Sequence, residues 1–238
     1  MHLSSKHRNF FVIELSEWRV TDLHTELRNQ LIRGAVEMSV ALSEEQVEKL
    51  LTYVREFEKW NKAYNLSAVR DIHQMVARHL LDSLSVVPWF TANKKFSATR
   101  IIDVGTGGGL PGIPLAIMFP EKQFTLLDSN GKKTRFLFQV KTLLGLTNVT
   151  VENRRVEEFQ PAQKFNVVVS RAFASLQDMT DGCTHLLEQD GVFLAMKGLF
   201  PQDELVPIAD KIDLIESVKL LVAETDGERH LLVLQPKQ

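Results

Sequence analysis

Apolar residues recur with two different spacings along the chain, and the spacing changes near residue 100. Before that point they follow one another at intervals of three and four, as at Leu50, Val54 and Phe57, which is the pattern of an amphipathic helix. From Arg100 onward, short apolar runs alternate with helix-like segments. The pattern predicts a helical first part followed by a mostly parallel, doubly wound sheet with helices on both faces.

Two helix starts stand out in the first part. Ser43, followed three residues later by Gln46, forms a capping box at the start of a long amphipathic stripe. Asp71 is placed to cap another helix, which Pro88 is expected to close. The helical part therefore extends to about residue 95.

The chain before Asp22 has no clear pattern. Residues 10–13 are strand-like, but no partner strand can be identified for them, and we expect a poorly ordered leader. The predicted division is a leader at 1–21, a helical extension packed on the core at 22–95, and the main domain at 96–238.

The second part of the chain predicts an α/β fold with seven strands. Asp226–Gly227 is a dipeptide typical of hairpins, and the strands on its two sides are expected to add an antiparallel strand at the edge of the sheet. Gly145 is a natural end for the helix that precedes the third strand. The predicted strands are 100–104, 123–127, 148–152, 165–170, 191–196, 215–224 and 229–235.

A glycine-rich loop follows the first predicted strand. Residues 101–114 (IIDVGTGGGLPGIP) contain an apolar run, an acid, five glycines and two prolines suited to a helix start. Residues 107–112 fit the dinucleotide fingerprint, so NAD is one candidate ligand. Asp103 favours the other, S-adenosylmethionine, because a carboxylate attracts its α-amino group and repels a pyrophosphate.

Asp128 closes the second predicted strand. An acid at this position can accept hydrogen bonds from both hydroxyls of a ribose. Alone, such an acid more often caps a helix or is solvated, but the glycine loop upstream makes a nucleoside the preferred interpretation. Asp128 does not distinguish S-adenosylmethionine from NAD.

Composition sets further limits. The 238 residues are 44% hydrophobic and carry a net charge of −2, so overall charge gives no argument for a nucleic-acid partner, although a local basic face remains open. Cys183 is the single cysteine and is expected to be a buried structural thiol, in a cytoplasmic protein without a metal site. No apolar run reaches the roughly 18 residues of a membrane span.

Positive charges gather where predicted strands end, and the carboxyl ends of parallel strands share the ligand-binding edge of a sheet. They are predicted to form a rim that binds RNA phosphates, with a solvated helix face as the alternative. His79 is expected to be a packed, hydrogen-bonded core residue and no part of the rim. The rim candidates are Lys132, Lys133, Arg135, Arg155, Lys197 and Arg78.

Seven motifs, taken in order and spacing, resemble the bacterial small-subunit ribosomal RNA guanine-N7 methyltransferases, the glucose-inhibited division protein B family. The resemblance covers about residues 27–238 and implies a class I S-adenosylmethionine-dependent methyltransferase fold with added N-terminal helices. It implies 16S ribosomal RNA as substrate, and we expect a monomer. The motifs are residues 60–66 (WNKAYNL), 78–83 (RHLLDS), 103–114, 126–129 (LLDS), 155–157 (RVE), 170–172 (SRA) and 197–198 (KG).

The resemblance also implies roles for single residues. Arg171 lies at the junction of cofactor and substrate, and is the predicted catalytic residue. It can pair with guanine O6, with a phosphate or with the carboxylate of the cofactor. At Gly108 relatives often carry proline or alanine. The predicted cofactor-binding set is Asp103, Gly105, Gly107, Leu110, Asp128 for the ribose, Val156 and Glu157 for the adenine, and Arg171.

The residues after the fourth strand bear on the acceptor. Residues 170–174 (SRAFA) lack the Asn/Asp-Pro-Pro-aromatic motif common in methyltransferases of exocyclic amines, and Cys183 is a poor candidate for the nucleophile of carbon-5 chemistry. Guanine N7 has an available lone pair, so its methylation needs neither that motif nor a cysteine nucleophile. We therefore predict methyl transfer to N7 of a guanosine in 16S ribosomal RNA. The alternatives are a methyltransferase of a small molecule or protein, an NAD-dependent dehydrogenase, and a non-enzymatic RNA-binding assembly factor.

Overall fold

A computed structural model describes residues 7–93, 99–171 and 173–237, with side chains from residue 22 onward. The first part is helical, as predicted. Ser43 and Gln46 form the reciprocal bonds of a capping box, and Asp71 caps the third helix through the amide of Gln74. The helices are α1 (His7–Glu37), α2 (Glu44–Tyr64), α3 (Ile72–Met75, continuing through a π-helical Val76–Leu81 into Asp82–Leu84) and α4 (Val87–Ala92).

Two helix boundaries differ from the prediction. Helix α1 begins at His7 instead of Asp22, and the strand-like residues 10–13 lie within it. Pro88 does not close α3, because it lies in the first turn of α4, where its missing N–H costs nothing. Residues 1–6 lie outside the described ranges, so the poorly ordered leader stays a prediction.

The second part of the chain forms one seven-stranded sheet, which confirms the predicted α/β class. The strand order is β3-β2-β1-β4-β5-β7-β6, and β1 to β5 are parallel. The strands are β1 (Arg100–Val104), β2 (Gln123–Leu127), β3 (Val149–Glu152), β4 (Phe165–Ser170), β5 (Leu187–Lys197), β6 (Ile212–Lys219) and β7 (His230–Pro236). The helices between them are α5 (Gly112–Met118), α6 (Gly131–Leu143), α7 (Leu176–Cys183) and α8 (Gln202–Leu205).

The predicted antiparallel hairpin forms one edge of the sheet, with β6 as the outermost strand. β7 lies between β5 and β6 and runs antiparallel to both. Its residues 230–234 are all buried, whereas most of β6 is exposed, so the more apolar strand takes the inner position. The β6–β7 pairing stops at Lys219 and His230, and a ten-residue connection replaces the predicted tight turn at Asp226–Gly227.

Two apolar cores cover the two faces of the sheet. The helices α1 to α3 pack with α5 and α6 on one face, where Leu27, Phe57 and Phe136 are buried. Helix α7 covers the other face with Leu176 and Cys183. Burial raises the pKa of the Cys183 thiol to about 12, which fits the predicted structural thiol. The N-terminal helices thus share a core with the sheet.

Within the described ranges, no helix has both the length and the apolar character that crossing a bilayer requires. In the same ranges, no three His, Cys, Asp or Glu side chains come together as the ligands of a metal ion would.

Candidate functional site

The glycine loop between β1 and α5 folds tightly against the neighbouring strand. Gly105, Gly107 and Gly109 have φ angles of 68°, 60° and 90°, a region that residues with a Cβ rarely adopt. The amides of Gly105 and Thr106 donate to the carbonyl of Leu127 at 2.9 and 3.2 Å. The end of β2 therefore fixes the start of the loop.

Asp103 lies beneath the loop and is fully buried. Its Oδ2 accepts hydrogen bonds from Thr106 Oγ1 at 2.6 Å and from the amide of Gly112 at 2.8 Å. Its Oδ1 is buried with no hydrogen-bond partner among the described residues. Burial, which outweighs these bonds and the nearby Arg171 charge, raises the pKa of Asp103 to about 7. The carboxylate thus faces the loop, as predicted, and supports it from below.

Asp128 follows β2 and connects the loop to helix α6. Its Oδ2 accepts from the amide of Gly107 at 2.9 Å, and its Oδ1 from the amide of Asn130 at 2.8 Å. Lys133 Nζ lies 3.6 Å from Oδ2. Asn130 caps α6 through the amide of Lys132, so the acid also helps to position the start of that helix.

A cleft of about 320 Å³ opens at the carboxyl ends of β1 and β2, beside the segment that follows β3. Phe173, after β4, forms another part of its wall. Among the predicted site residues, the lining includes Gly105, Asp128, Lys133, Arg155, Val156 and Glu157.

The remaining predicted cofactor residues lie outside this lining. Leu110 is buried in the core on the helical side of the sheet, and Gly107 meets Asp128 through its amide. Of the other predicted rim residues, Lys132, Arg135 and Arg78 are exposed.

Lys197, the last residue of β5, is engaged inside the protein. Its Nζ donates to Glu204 Oε2 at 2.8 Å and to the carbonyls of Phe173 and Ala174 at 3.4 Å. The ammonium therefore holds the segment after β4 in place, in contrast to the exposed rim cation that we predicted.

Arg171 follows β4 and forms an ion pair with Asp82, whose side chain is 8% exposed. Arg229 Nε donates to the other oxygen of Asp82 at 3.0 Å. Sequence reasoning gave Asp82 no individual role and did not single out Arg229. The only signal for Asp82 was its place in the 78–83 motif.

Helix α2 packs against the glycine loop through residues that do not line the cleft. The hydroxyl of Tyr53 donates to the carbonyl of Gly108 at 2.7 Å in a fully buried position, and burial raises the pKa of Tyr53 well above its usual range. A Cβ added at Gly108 would lie 2.1 Å from Phe57 Cε2. The predicted apolar stripe of α2 thus contains two residues that shape the loop, which the sequence did not indicate.

His79 packs behind Phe57, with the two rings 5.2 Å apart, and its Nε2 is 2.9 Å from Ser67 Oγ. Its Nδ1 is buried with no hydrogen-bond partner in the described part of the chain. Burial, with the Arg171 charge, lowers the pKa of His79 to about 4, so the ring is neutral at pH 7. The predicted packed core histidine is confirmed.

A sheet of this strand order, with a glycine loop after β1 and an acid after β2 at one edge, is the fold of class I S-adenosylmethionine-dependent methyltransferases. Two solved structures named SAM-dependent methyltransferase in complex with S-adenosyl-L-homocysteine share it. The protein from Geobacter sulfurreducens superposes with a TM-score of 0.53 at 13% identity, and that from Thiobacillus denitrificans with 0.52 at 12%. In each case the match covers 77% of this chain and 98% of the other.

The sequence model of the GidB family, described as rRNA small subunit methyltransferase G, matches residues 46–232. A ribosomal RNA small subunit methyltransferase G from Cellvibrio japonicus is 74% identical over 219 residues, covering 92% of this chain and 100% of that protein. The protein of the same name from Saccharophagus degradans is 56% identical, covering 84% of this chain and 87% of that protein. The chain belongs to the GidB family, which confirms the predicted family.

Proposed function

We propose that the protein transfers a methyl group from S-adenosylmethionine to N7 of a guanosine in 16S ribosomal RNA. The cleft at the carboxyl ends of β1 and β2, next to Arg171, is the observation that carries this proposal. Family membership supports a small-subunit ribosomal RNA as substrate. The N7 acceptor is supported by the motif resemblance and by the residues after β4.

The cleft fits a nucleoside with a cationic amino group. The backbone of Gly105 leaves room beside the loop, and the oxygens of Asp128 retain lone pairs for ribose hydroxyls, because each already accepts only one amide. Val156 and Glu157 line the cleft and are proposed to contact the adenine. The unpartnered Oδ1 of Asp103 is proposed to accept a hydrogen bond from the ammonium group, which would favour the ionised carboxylate when the cofactor is bound.

Methyl transfer to guanine N7 requires little of the protein beyond positioning the two reacting groups. Bound S-adenosylmethionine supplies a methyl on a sulfonium, and guanine N7 has a lone pair that needs no base to remove a proton. The contribution of the protein is then to hold acceptor and methyl in line. Arg171 is proposed to take part in this positioning, because it follows β4 at the strand edge where the cleft opens.

The rim of cations is proposed to bind phosphates around the target. Arg155 and Lys133 line the cleft, and Lys132 and Arg135 lie exposed on the helix beside it. Each exposed cation that meets a phosphate adds to a salt-sensitive attraction.

The division into a helical extension at 22–95 and a main domain at 96–238 is likewise proposed, with both parts sharing one core. We propose that the protein acts in the cytoplasm as a monomer. Light scattering at assay concentration tests the monomer, and a dimer mass would contradict it.

The test of function is a mass-spectrometric map of 16S ribosomal RNA from a strain that lacks the gene, with and without the cloned gene. We expect one 7-methylguanosine to disappear and to return with the wild type. Calorimetry should show binding of S-adenosylhomocysteine and none of NAD, since binding of NAD alone would indicate a dehydrogenase.

Two other outcomes would replace the proposal. Tritiated methyl recovered only in protein or in small molecules would indicate another acceptor. Unchanged RNA methylation in cells that carry Asp103→Ala would indicate an assembly factor whose cofactor site is idle. The exposed aspartate Asp213, changed to alanine, is the matched control.

A further inference from the structure

One buried carboxylate holds two arginines at the edge of the sheet where substrates bind. Asp82 lies in the last turns of α3, and both its oxygens are used: Oδ2 by Arg171 Nη1 and Oδ1 by Arg229 Nε. The three side chains come from positions up to 147 residues apart in the chain. We call Asp82, Arg171 and Arg229 the arginine cluster.

The arginine cluster lies beside the cofactor cleft, on the side away from the nucleoside. Arg171 follows β4, and Arg229 precedes His230, which pairs with the last residue of β5. The cleft is bounded by β1, β2 and the segment after β3. Because β4 and β5 follow β1 in the sheet order, the arginine cluster occupies the carboxyl ends of the strands beyond the loop. Acceptor and cofactor must occupy different parts of this edge, and the cluster is on the acceptor side.

The arginine cluster carries a net charge of +1, from two guanidinium groups and one carboxylate. The carboxyl of Asp103, which also feels the Arg171 charge, has a pKa raised to about 7 by burial and so carries less than a full negative charge at neutral pH. The neighbouring His79 is neutral at pH 7, and the neighbouring Glu228 already pairs with Lys219 at 2.5 Å. A singly charged anion would therefore neutralise the cluster. A backbone phosphodiester of RNA has that charge.

Each guanidinium keeps donors for such an anion. Arg171 binds Asp82 through Nη1, while Arg229 uses Nε for Asp82 and Nη1 for the carbonyl of Glu228 at 2.8 Å. The remaining N–H groups have no partner among the described residues, and the two side chains are 22% and 32% exposed. Asp82 fixes both guanidinium groups in advance, so little conformational freedom is lost when a phosphate binds.

We propose that Arg171 and Arg229, held by Asp82, form a binding site for an RNA phosphate next to the target guanosine. The proposal rests on the proposed function for the identity of the RNA. Arg229 contacts the phosphate directly, and Asp82 is a positioning residue. Planar guanidinium groups match the geometry of phosphate oxygens, which favours this anion.

The experiment compares the wild type with Arg229→Gln and Arg229→Lys, using 30S subunits from a strain that lacks the gene. For Arg229→Gln we expect the KM for the subunit to rise about 10–100-fold, the range for a lost hydrogen bond to a charged group. The slope of log KM against log salt concentration should fall by about 0.7–0.9, the value for one phosphate. Arg229→Lys should keep the salt slope and lose part of the affinity.

The affinity for S-adenosylhomocysteine, measured by calorimetry, should stay the same in all variants. Arg33→Gln removes the same charge from an exposed position on α1, with 73% side-chain exposure, and should leave KM and slope unchanged. An unchanged KM and slope in Arg229→Gln would overturn the proposal. So would a matching loss of S-adenosylhomocysteine affinity, because the site would then bind the carboxylate of the cofactor.

Two further measurements allow the result to be interpreted if Arg229→Gln does not fold or if the wild type is inactive. If circular dichroism shows that Arg229→Gln does not fold, Arg229→Lys is used for the test instead. An unchanged KM in Arg229→Lys would contradict recognition of a phosphate by the planar guanidinium group of Arg229. If the wild type transfers no methyl to 30S subunits, the proposed function fails on its own. Filter binding of 16S RNA at several salt concentrations, by wild type and Arg229→Gln, then tests the phosphate site separately.

Discussion

Asp103 and His79, both buried near the glycine loop, should make stability depend on pH in opposite directions. The pKa of Asp103 is raised to about 7, so between about pH 4 and 7 the folded protein keeps a proton that the unfolded chain has lost. Its contribution to stability therefore falls as pH rises through that window. The pKa of His79 is lowered to about 4, so between about pH 4 and 6.5 the unfolded chain holds the extra proton, and stability rises with pH.

The contributions of Asp103 and His79 to the free energy of unfolding are similar in magnitude. Three pKa units at about 1.4 kcal/mol each give about 4 kcal/mol for Asp103, and two and a half units give about 3 kcal/mol for His79. The two effects nearly cancel up to pH 6.5 in the wild type. The variant Asp103→Asn keeps an oxygen for Thr106 and Gly112 but cannot titrate, so it exposes the contribution of His79.

Urea unfolding followed by tryptophan fluorescence at pH 5, 6 and 7 measures the free energy of unfolding. We expect the unfolding free energy of the wild type, relative to Asp103→Asn, to fall by about 2–3 kcal/mol over this range, because it spans two pH units between the unfolded and folded pKa values at up to about 1.4 kcal/mol each. Asp213→Asn, at an exposed aspartate with 57% side-chain exposure, should run parallel to the wild type. Parallel curves for Asp103→Asn and wild type would refute the reasoning, because Asp103 would then not hold a proton near neutral pH.

Three more predictions concern the loop and the arginine cluster. Tyr53→Phe leaves the buried Gly108 carbonyl without its donor, so unfolding free energy should drop by about 1–3 kcal/mol in urea melts, and S-adenosylhomocysteine should bind more weakly by calorimetry. Gly108→Ala places a methyl 2.1 Å from Phe57 and should cost about 1–3 kcal/mol, most of which Phe57→Leu should restore; no recovery in the double variant would contradict the clash. Arg171→Ala should lower methyl transfer by about a hundredfold or more while cofactor binding persists, and near-normal turnover would remove Arg171 from the site.

The glycine loop and Asp128 could be predicted because the sequence signals that specify them lie within short segments of the chain. A strand, a glycine loop and a helix start follow one another within residues 101–114, and their geometry depends on glycines with positive φ. The acid after β2 needs only the rule that parallel strands end at one edge. These elements were therefore predictable before any contact between distant residues was known.

Contacts between distant segments could not be predicted in this way. Tyr53 and Gly108 are 55 residues apart, and Asp82 and Arg229 are 147 apart, so no periodicity connects them. The same reason explains Lys197, whose charge suggested a rim cation while its partner Glu204 depends on how α8 packs. Asp103 was correctly placed at the end of its strand, but its burial depends on Thr106 folding over it.

The position of β7 between β5 and β6 has a consequence for how the protein is made. Among the described strands, β6 pairs only with β7, so residues 212–219 leave the ribosome before the strand that they join. Until residues 230–236 have been synthesised, the outer side of β5 is an open sheet edge with unpaired N–H and C=O groups. Chains with such an edge tend to associate with one another. Chains stopped between residues 198 and 229 should therefore collect in inclusion bodies, even though the cofactor loop lies far upstream of the break.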